Sequence, residues 1–426
     1  MKKLTALLLA VLTLTSCTDD TEIDIAEGLE TYRDTFIGES ETAYVPPDIE
    51  EAVGGIFCEY FSIQDNKFYF ELKKRTPNSA VSMYAYTDLM TGNTAPICPD
   101  PLCTHDAAED CKYYDFQQGI WFTEHSGVFY THRKGEGALD ICKADLKNDT
   151  VELAYHPEEI FASVFGYWDG RLYFYETLHY TEDKKTITKR RMSYIDNATG
   201  EIIHIGYFPE GFSGYPIFIS KGKIYYISEK TLGCMDLDFE NREELLELPY
   251  GMDQWFCDEN TGELYFASVD ESQVTGAVYR YDGEKLEKLP LPHDEIYLFT
   301  LTNEKIYYSP FDPIYHGVHP FNSGVHTVSY DPYLFVWDYA GGKIYSVPRE
   351  NPSAEPELVY DNGGETLVAN LNHPYTIFGD YLYFDEIELT REVIEGVEYI
   401  YFNSARETSK IRVGLKDGSY TKIKFE

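Results

Sequence analysis

The chain has 426 residues, 16% of them aromatic (38 Tyr, 25 Phe), and a formal charge of −38 from 73 acidic against 35 basic side chains. A field of that sign repels phosphate backbones, so nucleic acid is excluded as an expected partner. The rings, with 31 Gly and 20 Pro and few runs of helical apolar spacing, point to an all-β chain.

Lys2 and Lys3 precede an apolar run from Leu4 to Leu14. The run is too short to span a bilayer and is laid out like a secretory signal. It ends in Leu14-Thr15-Ser16-Cys17. Residues 1–16 therefore read as a signal peptide. Residues 17–50, acidic and without periodicity, read as a tether ending near Pro46-Pro47. The folded part is expected over 51–426.

Seven times a short turn runs into a strand with the pattern aliphatic-or-Phe, aromatic, aromatic. The copies start at Lys67, Gly127, Arg171, Lys223, Glu263 and Lys305, with the last at Tyr381. Their middle aromatics are Tyr69, Phe129, Tyr173, Tyr225, Tyr265, Tyr307 and Tyr383, at intervals of 60, 44, 52, 40, 42 and 76. A four-stranded blade needs about 40 residues, so the predicted fold is a β-propeller of seven four-stranded blades. Counting Lys343-Ile344-Tyr345 as a further copy would give eight blades.

Strands within a blade are lettered A to D in chain order. In blade three, Phe161–Tyr167, Arg171–Thr177, Arg191–Asp196 and Glu201–Ile205 read as strands A to D, with an Asp169-Gly170 hairpin turn. In blade six, Leu334–Tyr339 and Lys343–Val347 read as strands C and D around Gly341-Gly342. Lys410–Leu415 and Tyr420–Phe425 read as the last C–D hairpin, and residues 41–46 offer a weak extra strand to the last blade. The length excess falls at 98–115, Tyr180–Arg190, Pro310–Tyr330 and Ile387–Val397. All four are B–C or D–A connections and so belong to one face. Loops carry function on a rigid scaffold, so any site is expected there.

Two clusters in these insertions carry candidate chemistry. Cys98, Cys103, His105 and Cys111 lie within 14 residues. They supply the four soft or borderline donors of a tetrahedral structural zinc site. The competing reading is disulfide chemistry, common in exported proteins. The second cluster is Asp312, His316, His319 and His326, a candidate ligand-binding loop; packing beside aromatics is the plainer reading. The run Lys184-Lys185 to Lys189-Arg190-Arg191 reads as a solvated hairpin tip. There is no Gly-x-Ser-x-Gly elbow, P-loop, dinucleotide fingerprint or Asp-x-Asp-x-Asp-Gly calcium loop.

The Leu-Thr-Ser-Cys17 box, the repeated aromatic strands and the Cys-x4-Cys-x-His-x5-Cys segment resemble a largely uncharacterised group of bacterial surface lipoproteins with receptor-type or TolB-like propellers. The resemblance implies cleavage before Cys17, acylation of that residue and display on the extracytoplasmic face of the bacterial membrane through an acyl anchor. It supplies no catalytic residues. The expected function is a binding or scaffolding module for an envelope protein, peptide or glycan. The alternative is an envelope enzyme acting on glycans at the B–C/D–A loop face.

Overall fold

The computed structural model describes Pro46 and residues 56–57, 63–75, 80–100, 102–103, 111–182, 185–208, 214–248, 251–258, 260–269, 276–294, 296–310, 339–340, 343–361, 366–369, 376–388, 390–394, 397–401 and 409–423. They form an all-β ring of seven four-stranded antiparallel blades. Blade I comprises Ile63–Gln64, Lys67–Arg75, Ala80–Asp88 and Thr94–Pro96; blade II comprises Phe116–Phe122, Val128–Lys134, Leu139–Asp145 and Thr150–Tyr155. Blade III holds Ala162–Trp168, Arg171–Glu182, Lys185–Asp196 and Ile202–Tyr207; blade IV holds Tyr215–Ser220, Lys223–Ser228, Thr231–Asp236 and Glu243–Glu247. Blade V is Gly251–Asp258, Leu264–Val269, Gly276–Tyr281 and Leu286–Lys288. Blade VI is Ile296–Leu301, Lys305–Pro310, Lys343–Pro348 and Glu357–Asp361. In blade VII strand A is split into Thr366–Ala369 and Thr376–Phe378, followed by Tyr381–Glu388, Ser409–Gly414 and Tyr420–Ile423.

Every copy of the aromatic motif is strand B of its blade, and its alternation explains the ring. Successive side chains of a strand point to opposite faces. Leu172 and Phe174 pack towards blade II with Tyr130 and Tyr155, whereas Tyr173 packs towards blade IV with Ile224 and Tyr226. Likewise Ile306 and Tyr308 join the blade V cluster, and Tyr307 joins Leu382 and Phe384 of blade VII. A strand buried on both faces requires a neighbour on both sides, which only a closed ring gives every blade. Blade II departs from the predicted frame by one residue. There Phe129 faces blade I and Tyr130 faces blade III, so Tyr130 is the counterpart of Tyr173.

The tight turns share a local device. In Asp88–Gly92, Asp196–Gly200 and Asp258–Gly262, the aspartate Oδ1 accepts the N–H groups two and three residues on. The glycine N–H then returns to the aspartate carbonyl, with glycine φ at 75°, 73° and 81°. That left-handed region favours glycine.

Three predicted elements are corrected, the first being Leu334–Tyr339 as strand C of blade VI: only Tyr339 of that run is described, and it pairs with blade VII. Lys343–Pro348 pairs directly with Lys305–Pro310 and is strand C of blade VI, not strand D; Glu357–Asp361 is strand D. The extra copy that suggested eight blades is therefore an ordinary blade VI strand. Tyr180–Arg190 is no loose loop, because strands B and C of blade III pair without a break from Arg171↔Asp196 to Glu182↔Lys185.

Blade I is built wholly from the early chain and blade VII from its last strands. Among the described residues no strand is shared between them, and the strand expected at 41–46 falls on residues of which only Pro46 is described. Side chains make the seam. The Phe68 ring lies 4.9 Å from Phe378 and 5.1 Å from Tyr383. Arg412 Nη1 donates to the Gly92 carbonyl at 3.0 Å. The buried pair Lys410–Asp385 sits at 2.5 Å, with Lys410 Nζ 5.5 Å from the Phe70 ring.

Two short strands add to the inner edges of blades: Ile56–Phe57 pairs with strand A of blade V, and Tyr339–Ala340 with the first half of strand A of blade VII.

Replacing Phe68 by Ala removes the central ring of the seam. It is expected to cost about 3–5 kcal/mol in urea unfolding, whereas Leu153→Ala, at a 59% exposed position, is expected to stay within about 0.5 kcal/mol.

Candidate metal centre and loop face

Strand D of blade I runs up from its turn, Ile97 N–H still bonds to the Tyr84 carbonyl at 3.1 Å, and the chain then leaves the sheet at Cys98. Pro99 and Pro101 disfavour continuation of the strand. Asp100 builds the turn instead: its Oδ1 accepts Leu102 N–H at 3.0 Å and its carbonyl accepts Cys103 N–H at 3.1 Å. This brings Cys103 back beside Cys98. Cys111 arrives from the far end of the connection, and the three sulfurs lie within 4.8 Å of one another. His105 lies outside the described residues.

The cluster is wedged between blades I and II. Cys98 and Cys111 are buried with Ile97, Tyr84, Tyr69, Phe116 and Phe129. Tyr113, fully buried, anchors the outgoing chain by donating to Asp149 Oδ1 at 2.9 Å, while Lys112 pairs with the same carboxylate at 2.6 Å. The Cys111 thiol is held well above its ordinary pKa, first by its hydrogen bond with Cys98 and then by burial. The site thus resists accumulating thiolate charge without a cation to neutralise it, and a bound metal reverses that logic. In a tetrahedral zinc–thiolate site the sulfurs stand about 3.8 Å apart. Closing from 4.8 Å is a small contraction, so this donor set fits a thiophilic cation.

Asp312, His316, His319 and His326 lie outside the described residues, as does Cys17. The connection carrying the histidines joins strands B and C of blade VI. It therefore leaves from the same face as the 97–115 connection, the extended blade III hairpin and the Thr390–Ile394/Val397–Tyr401 hairpin of blade VII.

The basic run at 184–191 is divided by the fold. Lys189 is exposed, its Nζ 5.9 Å and 5.8 Å from the rings of Tyr180 and Tyr207. Arg190 donates to the Gly214 carbonyl. Arg191, read from sequence as solvated, is buried: its Nη2 bonds to Glu176 Oε2 at 2.7 Å and Glu158 Oε1 at 2.6 Å. Tyr155 Oη donates to the same Glu176 oxygen at 2.6 Å. The signal was present, because counting along the hairpin from Arg171↔Asp196 sets Glu176 opposite Arg191.

Sequence reading also missed His132, buried between Trp121 and Phe161. Its Nε2 faces the Ala162 carbonyl at 2.8 Å, which only accepts, so Nε2 carries the proton and Nδ1 is bare. Among the described residues no hydrogen-bond partner meets Nδ1.

No family model matches the chain, and no curated protein matches it in sequence. Solved structures match it in fold. An oligogalacturonate lyase from Vibrio parahaemolyticus superposes at a TM-score of 0.47 with 12% identity, covering 91% of each chain. An acylaminoacyl peptidase from Pyrococcus horikoshii gives 0.49 and 12% over 92% of this chain and 54% of its own; the chain thus spans about half of that enzyme. A TolB-type protein from Agrobacterium tumefaciens gives 0.35 and 13% over 53% of this chain and 82% of its own.

Two outcomes follow. Glu176→Gln leaves Arg191 buried against a neutral partner and is expected to lower stability by about 3 kcal/mol in urea unfolding. Burial lowers the His132 pKa to about 4, against about 6.5 unfolded. Between those values the unfolded chain holds a proton that the folded chain lacks. The contribution is complete above about pH 6.5 and lost as pH falls towards about 4, roughly 3 kcal/mol in all. Urea midpoints from pH 7 to 4 should show this component in the native chain and lack it in His132→Gln.

Proposed function

We propose that the chain is a lipid-anchored, extracytoplasmic propeller that binds an envelope or extracellular ligand through its B–C/D–A face. The observation that carries this reading is the asymmetry of the two faces. Most A–B and C–D connections are short turns, the longest being 349–356 of blade VI, whereas the 97–115 connection, the blade III hairpin, the blade VI B–C connection and the blade VII hairpin all leave from the opposite face. A scaffold that keeps one face minimal and elaborates the other is organised for recognition on the elaborated side. The anchor rests on the signal-like residues 1–16 followed by Cys17; acylation there would hold the protein at the bacterial membrane.

Within this reading the Cys98/Cys103/Cys111 cluster binds a structural metal, zinc by its donor chemistry, with His105 as the fourth donor. Convergence of three sulfurs favours an ion over a disulfide, which needs two. With every position taken by protein the ion would brace the loop face and leave no coordination site for substrate.

Cys17→Ala is expected to move the protein from the membrane to the soluble fraction after ultracentrifugation; unchanged membrane retention argues against the anchor. Protein purified anaerobically should carry about one zinc per chain, lost in Cys103→Ser. Substoichiometric metal in the native chain would overturn the zinc assignment. For binding, an array of envelope glycans, peptides and secreted proteins should yield a ligand whose retention falls at least tenfold in Lys189→Glu, on the loop face, and not in Lys147→Glu, on the turn face. Turnover of an array member without stable binding would replace the binding module by an enzyme.

A further inference from the structure

The innermost strand of a propeller blade presents one row of backbone N–H and C=O groups to the central channel. Such an edge is a template for another strand. Among the described residues two inner edges are used in that way. Ile56–Phe57 pairs antiparallel with strand A of blade V, Ile56 opposite Asp258 and Phe57 opposite Cys257. Tyr339–Ala340 pairs antiparallel with strand A of blade VII, Tyr339 opposite Ala369 and Ala340 opposite Val368. In both blades strand B holds the outer side of strand A, so each added strand lies on the channel side.

The direction of the first pairing is informative. Strand A of blade V descends towards its A–B turn, so the antiparallel Ile56–Phe57 climbs from the turn face. The chain next joins a sheet at Ile63–Gln64, strand A of blade I, far around the ring. Described residues 56–57 and 63–64 thus pair with blades V and I respectively. The pairing is two residues long, while the ring's own strands pair over six or more residues in most blades. Among the described pairings it is one of the shortest, and it holds residues 56–57 on blade V without contributing a strand to a four-stranded blade.

We propose that the inner edge of blade V at Cys257–Asp258 is an acceptor for an extended peptide strand, which the chain's own Ile56–Phe57 occupies in cis and which an extended segment of a partner protein takes over by β-strand addition. Main-chain hydrogen bonds supply the affinity in this mode of recognition. The ligand class is peptide because the group seen on the edge is peptide, and because the same ring accepts a second strand on blade VII. The proposal goes beyond the loop-face reading above: it adds a peptide site in the channel, at the turn-face end of strand A of blade V. It also gives the early chain a regulatory role: whatever draws residues 56–57 out of the channel exposes the acceptor.

The test uses the full chain carrying Ile56→Pro and Phe57→Pro, which removes the cis-strand N–H that faces blade V in either register and disfavours the strand. The probe is a synthetic peptide with the sequence of residues 51–62, followed by isothermal titration. The expected result is one peptide per variant chain, at least tenfold weaker uptake by the native chain, and none of a scrambled peptide by either. A variant with native far-UV circular dichroism that takes up no peptide, or a native chain that binds equally well, overturns the proposal. If the variant does not fold, hydrogen exchange on the native chain decides. Amides of 56–57 exchanging at least tenfold faster than those of 264–269 support an exchangeable occupant, and equal protection marks a fixed brace. Peptide uptake by a chain that retains no envelope ligand would leave the acceptor standing and remove the envelope reading alone.

Discussion

Two-sided burial of the second strand in every blade is the constraint on which the molecule depends. Each such strand carries a ring pointing forward and a ring or aliphatic group pointing back, as Tyr173 and the Leu172/Phe174 pair do in blade III. A lone blade would leave both of these faces in water, at about 25 cal/mol per Å² of apolar surface. Stacking blades removes that cost everywhere except at the ends of the stack, and closing the ring removes it there too. The seam between blades VII and I is thus the same packing repeated without a covalent link, with Phe68 set between Phe378 and Tyr383.

The polar groups at the blade boundaries serve the same end. Arg349, in the C–D turn of blade VI, bonds to Asp258, Glu263 and Tyr265 of blade V. Asn197 of blade III bridges Tyr130 and Glu124 of blade II. Arg191 neutralises the fully buried Glu176. These contacts fix the turn face and the blade edges, so chain length added on the other face costs the scaffold little. The cysteine cluster illustrates the arrangement: its connection leaves blade I at Cys98, and Tyr113 returns it to the core through Asp149.

Much of this was legible in the sequence because burial on both faces of a strand needs rings at adjacent positions, which no exposed strand would retain. Seven copies gave seven blades, and hairpin turns such as Asp169-Gly170 set the registers around them. Where the reading slipped, a local pattern was ambiguous between equivalent frames. Val128-Phe129-Tyr130 satisfies the motif as written, yet Tyr130 holds the forward-facing place. Lys343–Pro348 resembles a fourth strand until the pairing with Lys305–Pro310 is seen. The convergence of Cys98, Cys103 and Cys111 followed from their crowding. Ile56–Phe57 is two residues long, shorter than any periodicity can register, and Tyr339, read as the end of strand C of blade VI, pairs with blade VII. The burial of Arg191 was hidden by its basic neighbours, which carry one charge pattern through three environments.

The central claim is that side-chain packing closes the ring across a seam where, among the described residues, no strand is shared. Native-state hydrogen exchange with mass spectrometry at low urea tests it most directly. The account predicts that amides of Lys67–Arg75 and Tyr381–Glu388, the second strands on either side of the seam, open together at a lower free energy than those of Arg171–Glu182 and Lys223–Ser228 in the interior of the ring. Seam strands protected to the same free energy as the interior blades would contradict it, and would mean that backbone pairing fastens the first blade to the last.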